Sequence, residues 1–114
     1  MNPAPVSAII VGAWLLINGI LHDIFVLRSE HGKVYNRDLL RLLMDGHILI
    51  SCGIILLLCY KGLQQNQAYA YFIALTASFS ILVYCAMIYP FLKSVLTILL
   101  NLALSLILIL AYFK

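Results

Sequence analysis

The sequence has few charged residues, and this scarcity limits what the protein can be. Only 10% of its 114 residues are Asp, Glu, Lys or Arg, while 65% are hydrophobic. An average soluble domain is about a quarter charged and about half apolar. A chain of this length has too few polar side chains to cover so much apolar surface in water. The composition therefore excludes an ordinary soluble domain and predicts an integral membrane protein.

Cysteine is also scarce, and its spacing argues against a disulfide framework. The chain has three cysteines, of which Cys52 and Cys59 are seven residues apart. On one helix their Cα atoms lie about 10 Å apart, which is too far for a disulfide. The sequence contains no Cys-x-x-Cys or His-Glu-x-x-His motif, so no zinc signature is present. We expect these two residues and Cys85 to be buried structural thiols.

The start of the chain lacks the cations of a signal peptide. Residues 1–7 hold no Lys or Arg, and no small-residue cleavage pattern follows the next apolar run. We therefore expect a retained first helix. The net charge of +3 comes from cations that lie mostly beside predicted helix ends, where they contact lipid head groups. We expect no nucleic-acid partner.

Four hydrophobic runs are each long enough to cross a membrane as a helix. About 20 apolar residues suffice, because the hydrocarbon layer is about 30 Å thick and a helix rises about 1.5 Å per residue. The short connections predict that successive helices are antiparallel neighbours. The sequence thus predicts an all-α integral membrane fold, a four-transmembrane-helix antiparallel bundle in one domain, residues 1–114. The predicted helices cover residues 5–27, 38–60, 67–89 and 94–113.

Local signals support these helix ends. Asp38 suits the N-cap of the second helix, and Gly62, after Lys61, suits its C-terminal end. Pro90 stops the third helix. On the first helix, Gly12 and Gly19 predict close packing against a neighbouring helix.

The cations are unevenly distributed between the two ends of the predicted bundle. Lys61 and Lys114 lie at one end, and the other end carries five cations: Arg28, Lys33, Arg37, Arg41 and Lys93. The positive-inside rule assigns the richer end to the cytoplasm. We therefore predict a protein of the cell or inner membrane, with both termini on the non-cytoplasmic side.

Polar groups inside the hydrophobic runs suggest a functional site. Ionisable side chains within a membrane are costly, and by default they mark a ligand site, a proton relay or a pathway. Counting residues from the helix ends places several of them at similar depths in the cytoplasmic half. The residues predicted to act in catalysis are Asp45, His22, His47 and Arg41, and those predicted to bind a ligand are Asn18, Asp23, Tyr84 and Asn101.

The spacing of these residues suggests their chemistry. Side chains four residues apart share a helix face, which pairs Asn18 with His22 and Arg41 with Asp45. Arg41 is then the expected partner of an ionised Asp45, and the alternatives are that Arg41 pairs with Asp38 or extends to the membrane interface. A neutral histidine nearby can exchange a proton at physiological pH. The Ser and Thr residues of the last two helices are expected mainly to bond to a neighbouring carbonyl or to pack at helix interfaces: Thr76, Ser80, Thr97 and Ser105.

Three classes of function fit these features. The first is a small multi-pass membrane protein with a His/Asp/Arg site in the cytoplasmic leaflet, which binds a lipid-soluble small molecule or acts on it by acid–base chemistry. The alternatives are a small proton-coupled transporter and an accessory or anchor subunit of a larger membrane complex. No cofactor is predicted, although haem or a metal held by His22 and His47 is a minority hypothesis. Expected partners are membrane lipids, a second copy of the chain or another membrane subunit.

Overall fold

The computed structural model describes residues 2–114, and over this range the protein contains helices and no strands. Four of the helices are long and apolar enough to cross a membrane, which confirms that part of the predicted fold. The helices are α1 (Ala4–Arg28), α2 (Arg37–Leu58), α3 (Tyr60–Gln64), α4 (Ala68–Ile88) and α5 (Val95–Tyr112), with a 3-10 turn at Glu30–Lys33 between α1 and α2.

The ends of α2 differ from the prediction. Its N-cap is Asn36, whose Oδ1 accepts a hydrogen bond from the Leu39 N–H at 2.9 Å, whereas Asp38 lies in the first turn. The C-terminal end is Leu58 rather than residue 60. Gly62 does not end a helix but lies inside α3, where an added Cβ would come within 2.6 Å of Ala70 Cβ. This glycine therefore serves packing between α3 and α4.

Two glycine pairs bring the backbones of α1 and α2 together. A Cβ added to Gly12 would lie 2.9 Å from the Gly53 carbonyl oxygen, and one added to Gly19 would lie 2.6 Å from that of Gly46. Small residues allow such close approach between helices. The prediction of close packing at Gly12 and Gly19 is confirmed. Because residue numbers rise along α1 as they fall along α2, these two helices run in opposite directions.

The core is apolar, and much of the outer surface is apolar as well. Leu15, Leu56 and Ile81, from α1, α2 and α4, are fully buried in the core. On the outside, Leu58 is 77% exposed and Phe79 is 62% exposed. Large apolar residues exposed on every long helix are a liability in water but suit contact with lipid tails. The longest dimension is 50 Å, which exceeds the roughly 30 Å hydrocarbon thickness.

Candidate functional site

Four of the predicted site residues meet near one end of the molecule. His22 and Asp23 come from α1, Asp45 from α2 and Tyr84 from α4, and we call these four residues the polar cluster. His22 Nδ1 lies 3.3 Å from Asp23 Oδ1. Asp45 lies close enough to both of these side chains to interact electrostatically, and the Tyr84 hydroxyl faces the Asp45 carboxylate from α4. Three helices thus supply polar groups to one place.

The polar cluster lies within the apolar helices but near their ends. Tyr84 is four residues from the end of α4, Asp23 five residues from the end of α1, and Asp45 eight residues from the start of α2. At about 1.5 Å per residue, these positions are about 6–12 Å from the helix ends. The His22 and Asp23 side chains are 27% and 22% exposed. The cluster is therefore half-buried and reachable from outside the protein.

The absence of a side chain at Gly46 leaves room for the Asp23 carboxylate. A Cβ at Gly46 would overlap the Asp23 carboxylate and would lie 2.8 Å from the Gly19 carbonyl oxygen. The close contact between α1 and α2 therefore also seats Asp23 against α2, beside the residue that follows Asp45. A side chain at position 46 would therefore displace the Asp23 carboxylate.

The polar cluster contains more acid than base. Within residues 2–114 the ion pairs are His22–Asp23 and Lys33–Glu30, so Arg41 does not pair with Asp45. That prediction is wrong. Arg41 is exposed on α2 whereas Asp45 is half-buried, and a long cationic side chain is better solvated at the membrane surface than in the interior. Among the residues that the structure describes, the two carboxylates thus face His22 and make no ion pair with an arginine.

Two further predicted residues have different surroundings. His47 is exposed on α2. Asn18 is half-buried, and its Nδ2 donates to the Trp14 carbonyl oxygen at 2.8 Å, a local bond within α1. Over the part of the chain that the structure describes, no three His, Cys, Asp or Glu side chains form a group able to hold a metal ion. Haem or metal binding by His22 and His47 stays a prediction.

Asn101 belongs instead to a buried hydrogen-bond network in the core. Its Nδ2 donates to the Thr97 carbonyl oxygen at 2.9 Å, and its Oδ1 accepts from Ser78 Oγ at 3.1 Å. Ser78 Oγ also lies 3.1 Å from Ser105 Oγ, and Trp14 Nε1 donates to Thr97 Oγ1 at 3.2 Å. The Asn101 side chain is fully buried. The network links α1, α4 and α5, as interhelical hydrogen bonds do in membranes.

Sequence reasoning missed a second polar group at the other end of the molecule. Asn2 Nδ2 donates to Tyr71 Oη at 2.6 Å and to Asn66 Oδ1 at 3.1 Å, and Tyr71 Oη donates to Asn66 Oδ1 at 3.0 Å. Asn2 and Asn66 line a cleft of about 460 Å³ that Lys114 also borders. Asn66 lies between two glutamines, so the sequence indicates only a solvated turn. Its φ of 55° is the feature that distinguishes it.

Comparison with known proteins gives no match: no family model fits the chain, and neither a curated protein nor a solved structure is similar to it. The function must therefore be inferred from the chemistry of the polar cluster and its surroundings.

Proposed function

We propose that the chain is a membrane-inserted antiparallel four-helix bundle whose polar cluster binds a lipid-soluble small molecule through hydrogen bonds and proton exchange. The observation behind this proposal is the meeting of His22, Asp23, Asp45 and Tyr84, from three helices, within otherwise apolar segments. Ionisable groups in such segments are expensive and by default serve a ligand or a proton. The half-exposed position of the cluster supports entry of a ligand from the surrounding lipid.

The distribution of cations supports a specific orientation in this proposal. The loop between α1 and α2 carries Arg28, Lys33 and Arg37, and Lys93 precedes α5 at the same end of the bundle. By the positive-inside rule, this end faces the cytoplasm and both termini face the other side. The polar cluster then lies in the cytoplasmic leaflet of a cell or inner membrane.

Within the proposed site, each side chain has a chemical role. If the His22 Nδ1–H donates to Asp23, then Nε2 is left to accept a proton or a hydrogen bond from the ligand. Asp45 supplies an acceptor or a general base, and Tyr84 supplies a hydroxyl donor beside it. Arg41 and His47, being exposed, take no part. The site can thus bind a polar head group or move a proton to or from it.

The packed core favours a binding site over a transport pathway. A transporter needs access to the site from both sides of the membrane, but Leu15, Leu56 and Ile81 fill the core and are fully buried. The polar groups of the Asn101 network satisfy one another rather than lining a path. An accessory subunit would need its polar groups only as links between helices, yet within residues 2–114 Asp45 makes no ion pair and lies in an otherwise apolar helix.

The test is retention of a small molecule by the purified protein. The protein is extracted in mild detergent, and co-purifying compounds are identified by mass spectrometry for the parent, Asp45→Asn and the matched exposed control Arg41→Gln. We expect the parent and Arg41→Gln to retain the same compound, and Asp45→Asn to retain at least about tenfold less, equivalent to about 1.4 kcal/mol of binding free energy. The thermal midpoint should stay near that of the parent in both variants. Equal retention by Asp45→Asn, or no compound above an unrelated four-span protein, would overturn the proposal.

A further inference from the structure

A groove lies between α2 and α4, two of the helices that carry the polar cluster. It has a volume of about 290 Å³ and opens to the outside of the molecule. Cys52 and Ile55 form its α2 wall, and Phe72, Thr76, Ala77 and Ser80 lie on its α4 wall. Its volume is at the lower end of the range for small-molecule pockets, which is about 300–1,000 Å³. A narrow, open groove of this size suits one extended apolar chain better than a bulky ring system.

The groove and the polar cluster occupy the same helix faces. Cys52 follows Asp45 by seven residues on α2, and Ser80 precedes Tyr84 by four residues on α4, so each pair is on one side of its helix. At about 1.5 Å per residue, the groove begins about 6–10 Å from the cluster and continues to Ile55, about 15 Å from Asp45. The cluster therefore lies about 6–10 Å beyond the groove, toward the nearer helix ends, and the groove extends into the apolar segment.

The walls of the groove are apolar in character despite two hydroxyl groups. Thr76 Oγ1 donates to the Phe72 carbonyl oxygen at 2.8 Å, and Ser80 Oγ donates to the Thr76 carbonyl oxygen at 2.8 Å. Because both hydroxyl hydrogens are used within α4, the groove offers a ligand mainly carbon and sulfur atoms. An alkyl chain can lie there without leaving a polar group unsatisfied.

The charge at the cluster selects the head group of such a ligand. Asp23 and Asp45 supply two carboxylates that face His22, and within residues 2–114 neither of them pairs with Arg41, which is exposed. A cation placed between the carboxylates would be held more strongly than in water, because the effective dielectric constant is lower there. An ammonium group would also donate hydrogen bonds to both.

We propose that the α2–α4 groove and the polar cluster together hold a single-chain amphiphile with a positively charged amine head group. The ammonium group lies between Asp23 and Asp45, and the alkyl chain lies in the groove along Cys52 and Ser80. This inference rests on the proposed function and names the chemical class of its ligand. An amphiphile in the membrane already has its head group at the surface and its chain in the apolar layer, so it enters without reorienting.

The test uses radiolabelled dodecylamine with the full chain in phosphatidylcholine nanodiscs, and empty nanodiscs measure simple partitioning. We expect saturable binding of dodecylamine, with neither dodecanol nor dodecyl sulfate competing at equal concentration. Asp45→Asn should weaken binding at least tenfold. Ser80→Leu, which fills the groove, should also weaken binding at least tenfold. The matched control is Ala86→Leu, at an exposed position of α4 outside the groove, which should leave binding unchanged.

Three results would overturn this inference. Dodecanol or dodecyl sulfate competing as well as dodecylamine would show that the chain alone is recognised. Unchanged binding in a folded Ser80→Leu variant would show that the groove is not used, and Thr76→Leu, on the exposed part of the same wall, repeats this test if Ser80→Leu does not fold. Absence of dodecylamine binding, in a protein that still retains a co-purified compound dependent on Asp45, would refute the amine class and leave the proposed function standing.

Discussion

Gly46 has no side chain, and both the close packing of α1 and α2 and the position of Asp23 depend on this. Replacing an exposed helical glycine by alanine ordinarily stabilises a helix by about 1 kcal/mol. Here the added methyl group would meet the Asp23 carboxylate and the Gly19 carbonyl oxygen. Overpacking of this kind costs about 1–3 kcal/mol. We therefore expect Gly46→Ala to lower the thermal midpoint in detergent and to weaken ligand retention, because Asp23 is displaced.

The control for this prediction is Met44→Ala, at an α2 position that is 53% exposed, where little change is expected. A higher midpoint for Gly46→Ala would mean that helix propensity outweighs the contact, and that α1 and α2 are not in backbone contact at this point.

Asn101 allows a structural role to be separated from a binding role. Asn101→Ala removes the side-chain bonds to Thr97 and Ser78. Interhelical hydrogen bonds in membranes average about 0.6 kcal/mol and reach about 1.7 kcal/mol. We expect a lower thermal midpoint, measured by circular dichroism, with ligand retention equal to that of the parent. Loss of the ligand without loss of stability would instead support the prediction that Asn101 binds the ligand.

The sequence predicted the members of the polar cluster better than it predicted their partners. His22, Asp23, Asp45 and Tyr84 were found because ionisable or polar groups are unusual in apolar runs. Within residues 2–114, Arg41 makes no ion pair with Asp45, because four-residue spacing gives proximity along a helix but not the direction in which a long side chain extends. In a membrane protein both the core and the lipid-facing surface are apolar, so hydropathy alone does not reveal how a helix is rotated about its axis.

At the scale of secondary-structure elements, Asn66 holds the turn between α3 and α4. Its backbone is in the left-handed region, and its side chain accepts hydrogen bonds from Asn2 and Tyr71. Asn66→Gly should lose those bonds but keep the backbone conformation. Asn66→Ala should lose the bonds and add about 1–2 kcal/mol of backbone strain. Thermal midpoints in detergent should therefore fall in the order parent, Asn66→Gly, Asn66→Ala.

Tyr71→Phe is the matched comparison for this series, because it removes the tyrosine hydroxyl and leaves the turn unchanged. It should resemble Asn66→Gly. An Asn66→Ala variant as stable as the parent would show that neither the left-handed backbone nor the hydrogen bonds stabilise this end of the molecule.

The ends of the long helices were predictable because hydrocarbon thickness fixes their length, and the predicted and observed ends agree within two residues. Helix α3 was not predictable in this way. At five residues it is too short to show a span or a repeating apolar face, and it forms where Gly62 and Leu63 are buried. The N-cap at Asn36 was missed because Asp38, two residues later, is an equally good capping type.

At the scale of the whole molecule, membrane insertion and orientation can be tested together. Cys52, Cys59 and Cys85 are free and buried, so a variant in which they are replaced by alanine supplies a background for single introduced cysteines. Lys33, between α1 and α2, and Gln65, between α3 and α4, are exposed and separated by the span of α2. Because the cationic end is assigned to the cytoplasm, a membrane-impermeant maleimide should label Gln65→Cys in intact cells and Lys33→Cys only after the membrane is opened.

The reverse pattern would invert the orientation and place the polar cluster in the outer leaflet, while labelling of both positions from the same side would contradict the four-span arrangement. Labelling of each position partly from both sides would mean that the chain inserts in two orientations, and the cation distribution would then not determine its topology.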